Sequence, residues 1–150
     1  MNIKSITFGF LALVLLAGCN NSDSDLNRSV TFETIEKDLY SGVDTPQNVV
    51  ITNINDWKEL WDETVTWTPD ELPFVNFNES MVVAVFMGER VSGGFNIEVL
   101  EIKEADNVIQ VISRVTNPDS SRGVTLALTQ PFHMIKINKT SKEIIFSELH

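Results

Sequence analysis

The stretch from Met81 to Ile102, MVVAVFMGERVSGGFNIEVLEI, constrains the fold more than any other part of the chain. It opens with an unbroken apolar run, Met81 to Met87, whose β-branched content, short length and Gly88 boundary predict a strand buried on both faces. A polar connection follows, Gly88, Glu89, Arg90, Val91, Ser92, Gly93 and Gly94, in which adjacent glycines permit positive φ where the backbone turns. The return run alternates, with Phe95, Ile97 and Val99 on one side and Asn96 and Glu98 on the other, which predicts a half-buried strand. The alternation changes phase at Val99 and Leu100, so either a bulge sits there or both faces are covered at that end. Together these read as a central hairpin with a glycine-bearing tip.

The flanking segments extend the same pattern. Val30 to Ile35 alternates as a first strand, and Val49 to Thr52 forms a short second one. Asn53 or Asn55 can cap a helix in which Trp57, Leu60, Trp61 and Val65 recur on one face, with Lys58, Glu59, Asp62 and Glu63 on the other. Thr68, Pro69 and Pro73 end that helix and begin a loop bearing Trp67, Phe74 and Phe77, aromatics expected to cover the end of the core. After the central pair, Val108 to Val115 reads as a strand, and Asn117 to Gly123 (NPDSSRG) has turn chemistry throughout and should be exposed. Val124, Leu126 and Leu128 alternate with Thr125, Ala127 and Thr129 as a further strand, interrupted by Gln130 and Pro131. Phe132 to Ile137 and Ile144 to Phe146 make a last hairpin. The fold class is therefore mainly β (α+β): an antiparallel sheet or sandwich with one amphipathic helix packed on it. No alternating βαβα series supports a parallel nucleotide-binding sheet.

The N terminus addresses location. Lys4 supplies a positive start, Ile6 to Leu16 an apolar stretch too short to span a bilayer, and Leu16, Ala17, Gly18 lead to Cys19, the only cysteine. This resembles a bacterial lipoprotein signal, which implies cleavage after residue 18, acylation of Cys19 and stable anchoring by several acyl chains. Asn20, rather than Asp, at the next position points to an outer membrane in the cell envelope. Residues 19–28 read as a flexible tether and 29–150 as one domain. With Cys19 lipidated, no thiol remains for a disulfide or a nucleophile.

Composition then narrows the partners. The formal charge of −10 becomes −11 when Lys4 leaves with the leader, and so acidic a surface repels nucleic-acid phosphate. Two histidines, His133 and His150, show no metal-ligand spacing, the carboxylates are scattered, and no phosphate-cradling motif is present, so no cofactor is expected. A hydrolase built on Ser92 and His133 is an alternative, although Ser92 lacks the GxSxG frame and His133 alternates with Ile135 and Ile137 as a packed or rim histidine would. A carrier of a small apolar ligand is another; it needs an enclosed cavity lined by Phe and Trp.

Five segments carry a family resemblance: WKELW in the helix, PFVNF before the central strand, MVVAVFMG, SGGFNIEV, and QPFHMIKI near the end. They resemble the C-terminal domain of PrcB-type proteins over about Val49 to Phe146. The shared hallmark is a strand, a loop with two glycines and an aromatic, here Gly88, Gly93, Gly94 and Phe95. The family often has Pro and Thr before the glycines and Tyr after them, where this chain has Val91, Ser92 and Phe95. The resemblance implies an accessory subunit of a surface subtilisin-like serine protease complex, without catalytic residues of its own. The chain is thus expected to bind another envelope or surface protein through the loop holding Gly88, Arg90, Ser92, Gly93, Gly94 and Phe95, joined by the 117–123 loop, and to perform no reaction.

Overall fold

A computed structural model describes residues 28–64, 71–119, 121 and 123–150. The leader, Cys19, the tether as far as Asn27, and Val65, Trp67, Thr68, Pro69 and Arg122 lie outside the described residues. Among the described residues, eight strands and one helix follow in the order β1 (Arg28–Ser29), β2 (Glu33–Asp38), β3 (Gln47–Ile51), α1 (Ile54–Thr64), β4 (Ser80–Phe86), β5 (Asn96–Glu104), β6 (Val108–Thr116), β7 (Phe132–Asn138) and β8 (Glu143–Leu149). They make two four-stranded sheets, ordered β1-β5-β6-β8 and β2-β7-β4-β3. The second is antiparallel throughout, and the first is antiparallel except where β8 runs parallel to β6.

The apolar run of β4 is buried on both faces because it lies in the middle of three layers. Met81, Val83, Val85 and Met87 join Ile135 and Ile137 of β7 and face Ile97, Val99, Ile102, Ile109 and Val111 of the opposite sheet. The alternate residues Val82, Ala84 and Phe86, with Phe132 and Met134, face the helix, where Trp57, Leu60 and Trp61 cover them. Phe86 and Phe132 stack at 5.8 Å, and Trp57 and Trp61 sit 5.4 Å apart. Phe77 packs at the margin of this second core, but Phe74 is 88% exposed and covers nothing, contrary to its expected role.

Asn53 starts the helix as the sequence predicts. Its Oδ1 accepts the amides of Asn55 and Asp56, both at 3.0 Å, and its Nδ2 donates to the Asp56 carboxylate at 2.7 Å. Two of the helix's otherwise unpartnered amides are thereby satisfied. An Asn53→Ala variant should lose about 1 kcal/mol in a denaturant melt, with an unchanged slope, because it removes a cap and no core contact.

Three expected connections are corrected. The run from Val30 to Ile35 is not one strand: the chain pairs with β5 through Ser29 and Val30, then crosses between sheets before β2 begins. β4 and β5 do not form a hairpin, since they lie in opposite sheets and the Gly88–Phe95 segment crosses between them. β7 and β8 are likewise divided, the 139–142 connection crossing over so that β8 pairs with β6. Alternation fixes which face of a strand is apolar, and two sheets that share a core ask for the same alternation. Of the two readings of the phase change at Val99 and Leu100, the bulge is the one found: the β5–β6 register shifts between Val99 and Glu101.

The crossings give the sandwich two distinct poles. Arg28 lies beside the β5–β6 turn, where its Nε meets Glu104 at 2.7 Å and Lys142 meets the same carboxylate at 2.8 Å. The Gly88–Phe95 segment and the 117–130 segment lie at the other end, about 26 Å away along the length of β5.

Candidate functional site

The far pole is built from three pieces of chain laid side by side. Leaving β4, Met87 donates its amide to the Pro131 carbonyl at 2.9 Å, and Glu89 donates to the Asp44 carbonyl at 2.9 Å. Arg90 and Thr129 then exchange both backbone hydrogen bonds, at 2.7 and 2.9 Å, and Gly93 donates to the Thr125 carbonyl at 3.0 Å. On the other side Gln130 donates to Leu39 and its carbonyl accepts from Ser41, at 2.7 and 3.0 Å. Residues 123–130 are therefore clamped at Thr129 and Gln130 and braced along the Arg90–Gly93 side.

The glycines of the loop face the chain itself. Gly88 has φ 72°, and a Cβ there would stand 2.7 Å from the Pro46 nitrogen and 2.8 Å from the Asp44 carbonyl. Gly94 has φ 89°, and its Cβ would meet the Pro118 side chain at 2.8 Å; at Gly93 the Thr125 hydroxyl occupies the space. Both positive φ values disfavour any L side chain. Gly88→Ala and Gly94→Ala should each cost about 1–3 kcal/mol in a thermal or chemical melt, with Gly88 the worse because backbone blocks it on two sides.

The remaining loop residues divide between buried and exposed. The Ser92 side chain is buried and its carbonyl accepts the Thr129 hydroxyl at 3.0 Å. Arg90 lays its guanidinium 5.8 Å from the centre of the half-buried Phe95 ring and donates Nη1 to the Glu89 carbonyl. Val91 is 77% exposed. Beneath the loop, Phe86, Met87, Phe95, Val115, Arg90 and Glu148 border a cleft of about 590 Å³. No tryptophan borders it; Trp57 and Trp61 are spent in the helix-side core, so the Phe/Trp-lined ligand cavity is not formed by them.

His133 is not paired with Ser92. It is 2% exposed, between the sheets, and both ring nitrogens are engaged. Nδ1 accepts the Val99 amide, at the β5 bulge, at 2.9 Å, and Nε2 lies 2.8 Å from the Thr34 hydroxyl. An imidazole that accepts at Nδ1 and is neutral carries its proton on Nε2, which donates to Thr34. Burial, and then the nearby Lys37 ammonium, push its pKa down to about 4, against a smaller opposing pull from Glu98. The ring supplies the partner that the bulge takes away from Val99. No cluster of three His, Cys, Asp or Glu residues suited to a metal occurs among the described residues.

The segment after the NPDSSRG loop departs most from expectation. Residues 124–128 belong to neither sheet, and all of them except the half-buried Ala127 are exposed. Val124, Leu126 and Leu128 are 41, 95 and 57% exposed, while Ala127 is half-buried and Thr129 buried. Next to their clamped end Leu39 and Tyr40 are also exposed. The outcome is an apolar surface at the loop pole, carried mainly by residues read as core from their spacing. The signal available in the sequence was the bracketing of a lone apolar alternation by seven turn-forming residues on one side and Gln130–Pro131 on the other.

No curated protein and no solved structure gives a significant match to the chain. Residues 81–138, from the second residue of β4 to the end of β7 and so including both crossing loops of this pole, match the family model described as PrcB C-terminal.

Proposed function

We propose that the chain is a lipid-anchored accessory subunit of an envelope protease complex, joined to its partner through the pole that holds the Gly88–Phe95 loop. The family match carries this reading, because the family is that of a protease complex subunit and the matched residues supply both loops of the pole. Two arrangements support it. The loops are braced by backbone hydrogen bonds and close glycine contacts, so they present Val91 and Leu126 from a firm base. Arg28 lies at the opposite end, so an acyl anchor on Cys19 ahead of it leaves the loop pole facing away from the lipid surface. On this reading the chain binds a protease and performs no reaction; the engagement of both His133 nitrogens with Thr34 and Val99 favours binding over a Ser92–His133 hydrolase.

The test is purification of the full-length, C-terminally tagged chain from envelopes in mild detergent. A protease should elute with it in near-stoichiometric amount. Radiolabelled palmitate should enter the wild type and not Cys19→Ala, which should leave the membrane fraction. A wild-type chain recovered without label, or without any protease, defeats the reading.

A further inference from the structure

The backbone of residues 124–128 adds something that an exposed apolar patch alone lacks. Among the described residues, the only backbone hydrogen bond this segment makes is the one its Thr125 carbonyl accepts from Gly93. The amides of Val124, Thr125, Leu126, Ala127 and Leu128 find no partner among the described residues, nor do the carbonyls of Val124, Leu126, Ala127 and Leu128. One edge therefore lies against the glycine loop, and the other has no partner among the described residues and runs beside a row of outward side chains, Val124, Leu126 and Leu128. Free donors and acceptors next to alternating apolar groups are the two requirements for accepting an added strand.

Charge selects between the occupants. Asp38, Asp44 and Glu89 lie on the chain segments that hold the clamped end: Asp38 precedes Leu39, which bonds Gln130, and accepts the Leu39 and Tyr40 amides, and Glu89 bonds Asp44 while preceding Arg90, which bonds Thr129. Arg90, which lies beside it, is turned toward Phe95 and its own chain. A second copy of this chain would bring the same acidic end and a formal charge of −10 against its like, which association between copies must overcome. A segment with Lys or Arg beside its apolar residues meets no such cost.

We infer that residues 124–128 are a docking edge for an extended segment of the partner protein, with apolar side chains at alternate positions and a basic residue beside Asp38 and Glu89. Main-chain pairing supplies the attachment, Val124, Leu126 and Leu128 supply the apolar contact, and the acidic end sets the direction of the incoming strand. The inference rests on the accessory-subunit reading, and its test separates the two.

The probe is a fluorescent ten-residue peptide alternating Val and Thr, with two lysines at one end, titrated into the purified soluble domain and the full chain. Binding should weaken by about tenfold or more when alternate peptide amides are N-methylated, when the lysines become glutamates, or when the protein carries Leu126→Ser with Leu128→Ser. Both leucines are exposed, so the melting temperature of the double variant should match the wild type. Amide exchange at Leu126 and Leu128 should slow on peptide binding. No binding, or binding indifferent to N-methylation, overturns the docking edge. A concentration-dependent dimer abolished by the double variant also overturns it, in favour of a second copy. If a protease elutes equally with wild type and double variant, the docking edge is wrong and the accessory reading stands. If none elutes with the wild type, the accessory reading fails, and the peptide titration alone decides whether the edge accepts strands.

Discussion

A Trp57→Ala variant should lose about 3–5 kcal/mol of stability, the range for truncating a fully buried tryptophan. The indole is 0% exposed, stands 5.4 Å from Trp61, and covers the helix side of Val82, Ala84 and Phe86. Two losses combine. The removed ring leaves a cavity that the rigid face of β4 and β7 cannot collapse to fill, and the Pro73 carbonyl loses the indole N–H that it accepts at 3.0 Å. Urea denaturation followed by far-UV circular dichroism measures the change. Trp57→Phe restores most of the volume and not the hydrogen bond, so it should recover more than half of the lost stability. A Trp57→Ala midpoint close to the wild type would mean that α1 does not hold the outer face of the β4 sheet.

The layer that Trp57 closes is the part of the fold most directly written in the sequence. From Met81 to Met87 no polar residue interrupts the run, and only a strand covered on both faces tolerates that in a soluble domain. The helix follows from the four-residue recurrence of Trp57 and Trp61 and from Asn53 ahead of them, and its buried face matches that spacing. The Val99–Glu101 bulge is one of the two arrangements that a phase change within a single strand allows. All three are local patterns, each confined to about ten residues.

What the sequence withheld was long-range. Alternation in β5 demands one covered face and does not say whether the cover comes from β4 in the same sheet or across the core, so a hairpin and a crossing have the same signature. The parallel β6–β8 pair required knowing that the 139–142 connection crosses over, where Lys142 donates to the Ala105 carbonyl at 2.6 Å. Residues 124–128 show the sharper limit. Val124, Leu126 and Leu128 have the spacing of a core strand and point the other way, because Thr129 and Gln130 are clamped between Arg90 and Leu39 and fix which side faces in. A period of two identifies a face without identifying the solvent. At the loop pole Gly88, Gly93 and Gly94 stand against Pro46, Thr125 and Pro118, with Gly94 and its neighbour Val91 exposed, and glycines in a sequence do not say which contacts their missing side chains make room for.

His133 produces the second large effect, which appears as a pH dependence of stability. In the folded chain its pKa is held at about 4 by burial and by Lys37, with Glu98 opposing, against an ordinary value of 6.5. Above 6.5 the ring is neutral in both folded and unfolded chains, and its bonds to Val99 and Thr34 contribute in full. As the pH falls below 6.5 the unfolded chain takes up a proton that the folded chain refuses, so stability declines, and the decline from this residue ends near 4, where the folded ring also protonates. At 1.36 kcal/mol per pKa unit the loss approaches about 3 kcal/mol, of which about 2 should appear by about pH 5. Glu98, whose carboxyl the bonded Lys37 holds below its usual range despite partial burial, adds a loss only at lower pH, where carboxylates protonate. Urea midpoints taken from about pH 7 to 5 isolate the histidine. His133→Asn keeps an acceptor for the Val99 amide and has no titrating group, so it should start less stable at neutral pH and lose little of that stability down to about pH 5. If the wild type and His133→Asn fall in parallel, the imidazole is not held neutral between the sheets. The crossing of β5 over β7 would then rest on packing alone.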